Sequence, residues 1–152
     1  MNNREILDSI LRELSARLGK SLGELSADGV VGFSYRDNIP VTIECPATGL
    51  MAYLYADFGP LSSLRRERFC YKLLVASHLG HGTGNACFSI NDSENSLVLW
   101  LGFEVAGLDA LEFETMLDDF LQIVSLWDEQ FRANEQMPVP TDDLSEFAGI
   151  RI

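Results

Sequence analysis

The chain has 152 residues, of which 47% are hydrophobic, and it carries a formal net charge of −12 at pH 7. This length and composition predict one folded domain and exclude an intrinsically disordered chain. The acidic charge would repel phosphate groups, so nucleic acid is excluded as a partner. No apolar run approaches the roughly 20 residues that span a bilayer, and no membrane partner is expected.

The N-terminus and the cysteines both indicate a cytoplasmic protein. The opening sequence, MNNREILDSI, has no basic segment followed by an apolar one, so no signal peptide is predicted. The three cysteines, Cys45, Cys70 and Cys87, form no CxxC pair. Free thiols in a reducing compartment fit this set better than disulfides do.

The first predicted element is a helix from Arg4 to Leu18. Its leucines recur at steps of three and four residues, which places Leu7, Leu11, Leu14 and Leu18 on one face. Gly19 follows at the position where a left-handed cap would end the helix.

Three short strands are predicted next, as an antiparallel meander. Val30 to Tyr35 and Ile39 to Cys45 alternate apolar and polar residues around a polar turn, which favours a hairpin. In the third strand, Leu50 to Asp57, alternation predicts two sets: Leu50, Ala52, Leu54 and Ala56 toward the core, and Met51, Tyr53 and Tyr55 outward. The outward set is unusually apolar.

A second helix is predicted from Ser62 to Leu79, and its apolar stripe is wide. The stripe comprises Phe69, Cys70, Leu73, Leu74, Ala76 and Leu79. A helix that is apolar around much of its circumference packs against two surfaces, here the sheet and a second subunit.

A second hairpin is predicted from Ala86 to Ile90 and from Ser96 to Val105. The latter is predicted as the central strand because both of its faces are apolar, with Leu97, Leu99, Leu101, Phe103 and Val105 on one side and Val98 and Trp100 on the other. Such a strand is normally covered on both faces, by helices of its own chain or by another polypeptide.

The last predicted helix opens with Asp109 and Glu112, which are spaced as a capping box. Its apolar stripe is the most regular in the chain and consists of Phe113, Leu117, Phe120, Val124, Trp127 and Phe131. We therefore predict a single domain over residues 1–136 and a flexible acidic C-terminal tail over residues 137–152.

A search for catalytic chemistry finds almost nothing. The histidines, His78 and His81, lie near Cys70 and Cys87 in sequence, but the spacing matches no metal-ligand pattern. Two helical turns, about 12 Å, separate Cys70 from His78, which is too far for a nucleophile and its base. No catalytic residue, cofactor or metal ion is predicted, and a small thiol or metal enzyme is left as a remote alternative.

Surplus apolar surface is the distinctive feature. Together the outward side chains exceed what one sheet face under two helices needs: Met51, Tyr53, Tyr55, Val98 and Trp100. Methionine and aromatic residues are favoured where proteins meet. The set predicts a protein that dimerises or binds an apolar polypeptide.

The order helix, three-strand meander, helix, two-strand hairpin, long acidic helix resembles the Tir-chaperone (CesT-like) family of type III secretion chaperones. Local similarities include Leu54-Tyr55-Ala56-Asp57, Lys72-Leu73-Leu74-Val75-Ala76 and Ser96-Leu97-Val98-Leu99-Trp100. The resemblance extends from about Ile6 to Phe131. It implies an α+β homodimer of α-β-β-β-α-β-β-α order, with a twisted antiparallel sheet packed by helices, in the bacterial cytoplasm and without enzymatic activity.

The resemblance also implies the partners. The chain would bind the N-terminal segment of a secreted effector, keep it extended and secretion-competent, and contact the ATPase of the secretion apparatus. The residues expected at the effector are Val31, Phe33, Val41, Ile43, Met51, Tyr53 and Tyr55. Those expected at the dimer interface are Phe69, Leu73, Ala76, Val98 and Trp100. The alternative is a regulatory protein of the same fold that sequesters a transcriptional activator or anti-activator.

Overall fold

The structure is a computed structural model that describes residues 2–36 and 38–137. It has the predicted order of helices and strands and is α+β, as expected. The elements are α1 (Asn3–Leu18), β1 (Val30–Tyr35), β2 (Ile39–Glu44), β3 (Met51–Pro60), α2 (Arg66–Ser77), β4 (Cys87–Asn91), β5 (Ser96–Glu104) and α3 (Ala110–Gln136). Two short 3-10 helices, Ser63–Arg65 and His78–Gly80, flank α2.

The sheet has five strands in the order β1-β2-β3-β5-β4, and every neighbouring pair is antiparallel. The meander β1-β2-β3 and the hairpin β4-β5 are confirmed. The predicted central position of β5 is wrong by one strand, because β3 lies in the middle and β5 lies between β3 and β4.

α1 begins and ends as its sequence predicts. Asn2 and Glu5 form a reciprocal capping box at its start, and Gly19 ends it with a left-handed φ of 64°. Arg4 ties the helix to the sheet, since its guanidinium donates to the backbone oxygens of Cys45, Ala27 and Asp28 at 2.8, 2.9 and 2.7 Å. Leu18, the last member of the predicted stripe, is exposed.

One face of the sheet lies beneath α1 and α3 and forms the main core. β2, β3 and β5 contribute side chains that are less than 1% exposed, namely Val41, Ile43, Ala52, Leu54, Ala56 and Leu99. The helices contribute Leu7, Leu11, Leu14, Phe113 and Val124 to the same cluster. Burial of this apolar area is the main stabilising term of the fold.

α3 confirms its predicted start and its predicted stripe. Asp109 and Glu112 form the capping box, and all six stripe residues are buried. Trp127 also secures the loop before β4, because its indole Nε1 donates to the backbone oxygen of Gly82 at 3.0 Å.

The second helix, α2, is shorter than predicted. A second, smaller hydrophobic cluster holds it against the rest of the domain. α2 packs onto the C-terminal half of α3 through a cluster of Leu61, Phe69, Leu73, Leu97, Trp127 and Phe131. The helical run is divided into three pieces, and Leu79, at a positive φ of 51°, kinks the last one.

β3 differs from its predicted limits at both ends. Leu50 was expected in the core but precedes the strand and is exposed. Beyond Asp57 the ladder with β5 shifts register, and the strand continues to Pro60 instead of ending at Asp57. Asp57 stabilises the bulge, since its carboxylate accepts from the backbone nitrogen of Gly59 at 2.8 Å and from the Ser96 hydroxyl at 3.0 Å.

The predicted tail, residues 137–152, lies outside the described residues except for Met137, so its division from a domain over residues 1–136 stays a prediction. Within residues 2–36 and 38–137, none of the helices is long and apolar enough to cross a membrane.

Candidate partner-binding surfaces

The sheet face opposite the helices is uncovered, and we call it the open face. It carries the apolar side chains of Met51, Tyr53, Tyr55, Val98 and Trp100. Met51 and Trp100 are 37% and 36% exposed, and the other three are half-buried against one another. The prediction of a strand with two apolar faces is confirmed, and in this chain only one of those faces is covered.

The aromatic side chains of the open face pack across strands. Tyr55 is paired with Trp100 in the β3–β5 ladder, and the rings of Tyr53 and Trp100 meet edge-on with centroids 6.2 Å apart. Gly102 makes room beside them, because a Cβ at that position would lie 3.2 Å from Met51 Cε. The five side chains therefore form one continuous patch.

A shallow pocket of about 280 Å³ lies within the open face. It is lined by Glu44, Tyr53, Tyr55, Ser89, Val98 and Trp100. Burial raises the pKa of the Tyr55 phenol, and the negative charge of Glu44 raises it further. Tyr55 is therefore a neutral side chain at physiological pH, so it suits an apolar contact.

The residues predicted to contact the effector fall on two sides of the sheet. Val31, Val41 and Ile43 are buried under the helices. These three side chains are part of the core, which leaves them no surface for a partner. Met51, Tyr53 and Tyr55 lie on the open face, while Phe33 lies half-buried at the helix side of β1.

The predicted dimer residues are also divided. Phe69 and Leu73 are 3% exposed and pack inward, and the ring of Phe69 lies 6.2 Å from that of Phe131. Their burial within one chain accounts for the inner side of α2 without a second subunit. Ala76 is half-buried, whereas Val98 and Trp100 belong to the open face.

Sequence reasoning included Leu74 in the predicted stripe of α2 but missed Tyr71 and Val75, and it did not separate the outer side of the helix from the inner side. Tyr71, Leu74 and Val75 are all more than half exposed. Their spacing of i, i+3 and i+4 is itself the signature of an apolar helix face, and it could have separated them from the inward Phe69 and Leu73.

The outer edge of β1 is a second candidate surface. β1 pairs with β2 on one side, and no other described strand pairs with it on the other. Apart from Val30, which bonds to Ser26, the outward backbone groups of β1 are therefore available to an added strand, beside the half-buried rings of Phe33 and Tyr35.

The described residues offer little for catalysis. Among them, no group of three or more His, Cys, Asp or Glu side chains could hold a metal ion. His78 and His81 are both exposed. Burial raises the pKa of the Cys45 thiol, which keeps it protonated and unreactive.

The family model of the Tir chaperone protein (CesT) family matches residues 9–128 of the chain. Because the match covers most of the chain, this protein belongs to that family. A comparison with curated proteins finds no significant match.

Solved structures share the fold at low sequence identity. A chain of the ExsC-ExsE complex superposes with a TM-score of 0.74 and 20% identity, over 86% of this chain and 97% of that one. A chain of the HopA1-SchA chaperone-effector complex gives 0.67 and 11%, over 86% and 95%. A chain of the heterodimeric ExoU-SpcU complex from the type III secretion system of Pseudomonas aeruginosa gives 0.59 and 14%, over 82% and 93%. These likenesses confirm the α+β architecture.

Proposed function

We propose that the chain is a non-enzymatic type III secretion chaperone that acts in the bacterial cytoplasm. It binds the N-terminal chaperone-binding segment of a secreted effector and keeps it extended, soluble and competent for secretion. The observation that carries the proposal is a sheet edge at β1, unpaired by any other described strand, in a member of the Tir chaperone family. Such an edge can take up an extended segment of another polypeptide as an added strand. Contact with the secretion-apparatus ATPase stays a prediction.

The effector segment binds along the outer edge of β1. Beyond Val30, whose backbone bonds to Ser26, the outer edge of β1 pairs with no other described strand. This edge supports the site, because an extended chain gains main-chain hydrogen bonds at a sheet edge whatever its sequence. Phe33 and Tyr35 supply specificity, since each leaves part of its ring uncovered at that edge.

Two copies associate through the open face. Val98 and Trp100, expected at the dimer interface, share this face with Met51, Tyr53 and Tyr55, which were expected at the effector. One continuous patch holds one polypeptide at a time, so we assign all five residues to the second copy. A patch that lies across the middle of the sheet suits a two-fold interface, in which each copy presents the same surface.

Purification of the tagged full-length chain from its native bacterium tests the function. Mass spectrometry should find one dominant partner, and limited proteolysis should show protection confined to a segment near that partner's N-terminus. Native mass spectrometry should give two copies of the chain for each effector. A transcriptional activator or anti-activator as the dominant partner would support the regulatory alternative instead.

A substitution on β1 tests the effector site. Phe33→Ala should weaken binding of the captured effector segment about tenfold, as expected when an aromatic anchor is truncated. Leu64→Ala is the control, because Leu64 is exposed and lies in the 3-10 helix before α2. Isothermal titration calorimetry measures the affinity of each variant for the segment, after urea unfolding has shown that both variants are folded. Unchanged binding by Phe33→Ala would mean that the effector does not bind at β1.

A further inference from the structure

A groove of about 510 Å³ lies between the outer side of α2 and the C-terminal end of α3. Its apolar lining comes from Phe69, Tyr71 and Val75 of α2 and from Ala133 and Met137 at the end of α3. Tyr71, Val75 and Met137 are more than half exposed, so much of this lining faces solvent. Apolar side chains exposed along a groove favour an apolar occupant.

The lining of the groove is also positively charged. Arg65, Arg68 and Lys72 line it, and Arg68 and Lys72 are one helical turn apart on the same face. Among the described residues that line the groove, none carries a carboxylate. In a chain with a net charge of −12, this patch attracts acidic groups that the rest of the surface repels.

The C-terminal end of α3 is held at this groove. Arg65 Nη1 donates to the backbone oxygen of Asn134 at 3.1 Å and to that of Met137 at 2.7 Å. These bonds fix the last turn of the helix and the position from which the chain continues. Met137, the last residue that the structure describes, therefore lies at the groove.

The sequence beyond Met137 carries both chemistries that the groove would bind. Residues 141–147 read TDDLSEF, with acidic side chains at Asp142, Asp143 and Glu146 and apolar ones at Leu144 and Phe147. Five extended residues span about 16–18 Å, so Asp142 can lie that far from Met137, which lines the same groove as Arg68 and Lys72.

We propose that this groove binds residues 141–147 of the same chain. The carboxylates lie against Arg68 and Lys72, and Leu144 and Phe147 cover Tyr71 and Val75. Because the segment is joined to the groove by only a few residues, its effective concentration is in the millimolar range, so weak contacts suffice. An acidic segment from another protein has to displace it, which makes the tail a competitor for this surface.

Hydrogen exchange of the full-length chain, followed by mass spectrometry, tests the proposal. Backbone amides within residues 141–147 should exchange about tenfold more slowly than in a synthetic peptide of residues 138–152. The double variant Arg68→Glu/Lys72→Glu should abolish this protection. Adding Asp142→Lys and Asp143→Lys to that variant should restore it, because the charges are then exchanged and again complementary.

A matched variant controls for net charge. Arg12→Glu/Lys20→Glu makes the same charge change at two exposed residues, one on α1 and one just after it, and should leave the protection intact. Exchange in the wild-type chain at the rate of the synthetic peptide would overturn the proposal. Protection that disappears when the chain is diluted would also overturn the proposal, because it would mean that the groove binds the tail of a second copy.

Discussion

The covered and open faces of the sheet are built from the same strands, and both are largely apolar. In β3, Ala52, Leu54 and Ala56 are fully buried, whereas Tyr53 and Tyr55, which alternate with them, are half-buried. The difference lies in size and shape. The covered side combines small alanines with branched aliphatic residues that pack under helices, and the open side carries large aromatic rings.

This contrast indicates what each face is for. Helices α1 and α3 approach the covered face closely because Ala52 and Ala56 leave room above β3. The rings of Tyr53, Tyr55 and Trp100 bury much of their area against one another and keep their edges accessible, as residues at protein interfaces do. The covered face stabilises the monomer, and we expect the open face to stabilise an assembly.

The largest effect is expected from a charge on the inner side of α2. Leu73→Asp places an unpaired carboxylate in the cluster that joins α2 to α3, where Leu73 is 3% exposed. A buried unpaired charge costs more than about 4 kcal/mol, so the variant should fail to fold or should aggregate. Far-UV circular dichroism measures this, and a wild-type spectrum with a wild-type urea midpoint would contradict the assignment of Leu73 to the core.

A truncation on the covered face should have the next largest effect. Leu54→Ala removes a fully buried side chain from the middle strand and should lower the free energy of unfolding by about 2–5 kcal/mol. Met51→Ala, in the same strand but on the open face, is the control and should cost less than about 1 kcal/mol in the monomer. Urea unfolding compares the two, and equal losses would remove the distinction between the faces.

Trp100→Asp should separate assembly from folding. Trp100 is 36% exposed in the single chain, so the charge remains solvated and the monomer should stay within about 1 kcal/mol of wild-type stability. In a dimer formed through the open face the same charge would be buried, and the dimer should dissociate. Sedimentation velocity reports the mass, and a dimer of wild-type affinity would place the interface elsewhere.

The smallest effect is a difference in thiol reactivity between the faces. Cys45 is 1% exposed on the covered side, whereas Cys87, paired with Trp100, is half-buried on the open side. A thiol reagent should label Cys87 in the folded chain and Cys45 only after unfolding. Mass spectrometry of digested samples identifies the labelled residue, and rapid labelling of Cys45 would contradict its burial.

The raised pKa of Cys45 adds a pH dependence. The folded chain keeps this thiol protonated at a pH where the unfolded chain has already ionised it. The stabilisation is therefore complete below the ordinary pKa of the thiol and is lost as the pH rises above it.

Elements were predicted well from the sequence where apolar periodicity and the residues at their ends indicate the same limits. α1 has a regular apolar stripe and a capping glycine, and β1 has clear alternation, so the boundaries of both match within one residue. α3 begins at its predicted capping box, and its predicted stripe is buried. α2 was less well predicted, because its residues include two apolar sets, one inward with Phe69 and Leu73 and one outward with Tyr71 and Val75. Periodicity identifies a helix there without showing which set a neighbour covers.

The candidate site residues were only partly predicted for the same reason: periodicity does not show which face of an element is covered. Alternation in β2 correctly places Val41 and Ile43 on one face and Thr42 on the other, but it does not show which face the helices cover. The residues of the open face were predicted as surplus apolar side chains, because Met51, Tyr53 and Trp100 exceed the number that one sheet face under two helices needs. That all five of its residues form one patch depends on the pairing of β3 with β5, which joins segments more than 35 residues apart in the chain.

That pairing also determines how the chain must fold. The meander β1-β2-β3 and the hairpin β4-β5 each form from neighbouring residues, but the sheet is complete only when β3 meets β5 across α2 and its flanking turns. Closing so long a loop costs entropy before any contact compensates for it. We expect the closure of this ladder to limit the folding rate, and on the ribosome the first three strands must wait, with one edge of β3 unpaired, until β5 has emerged.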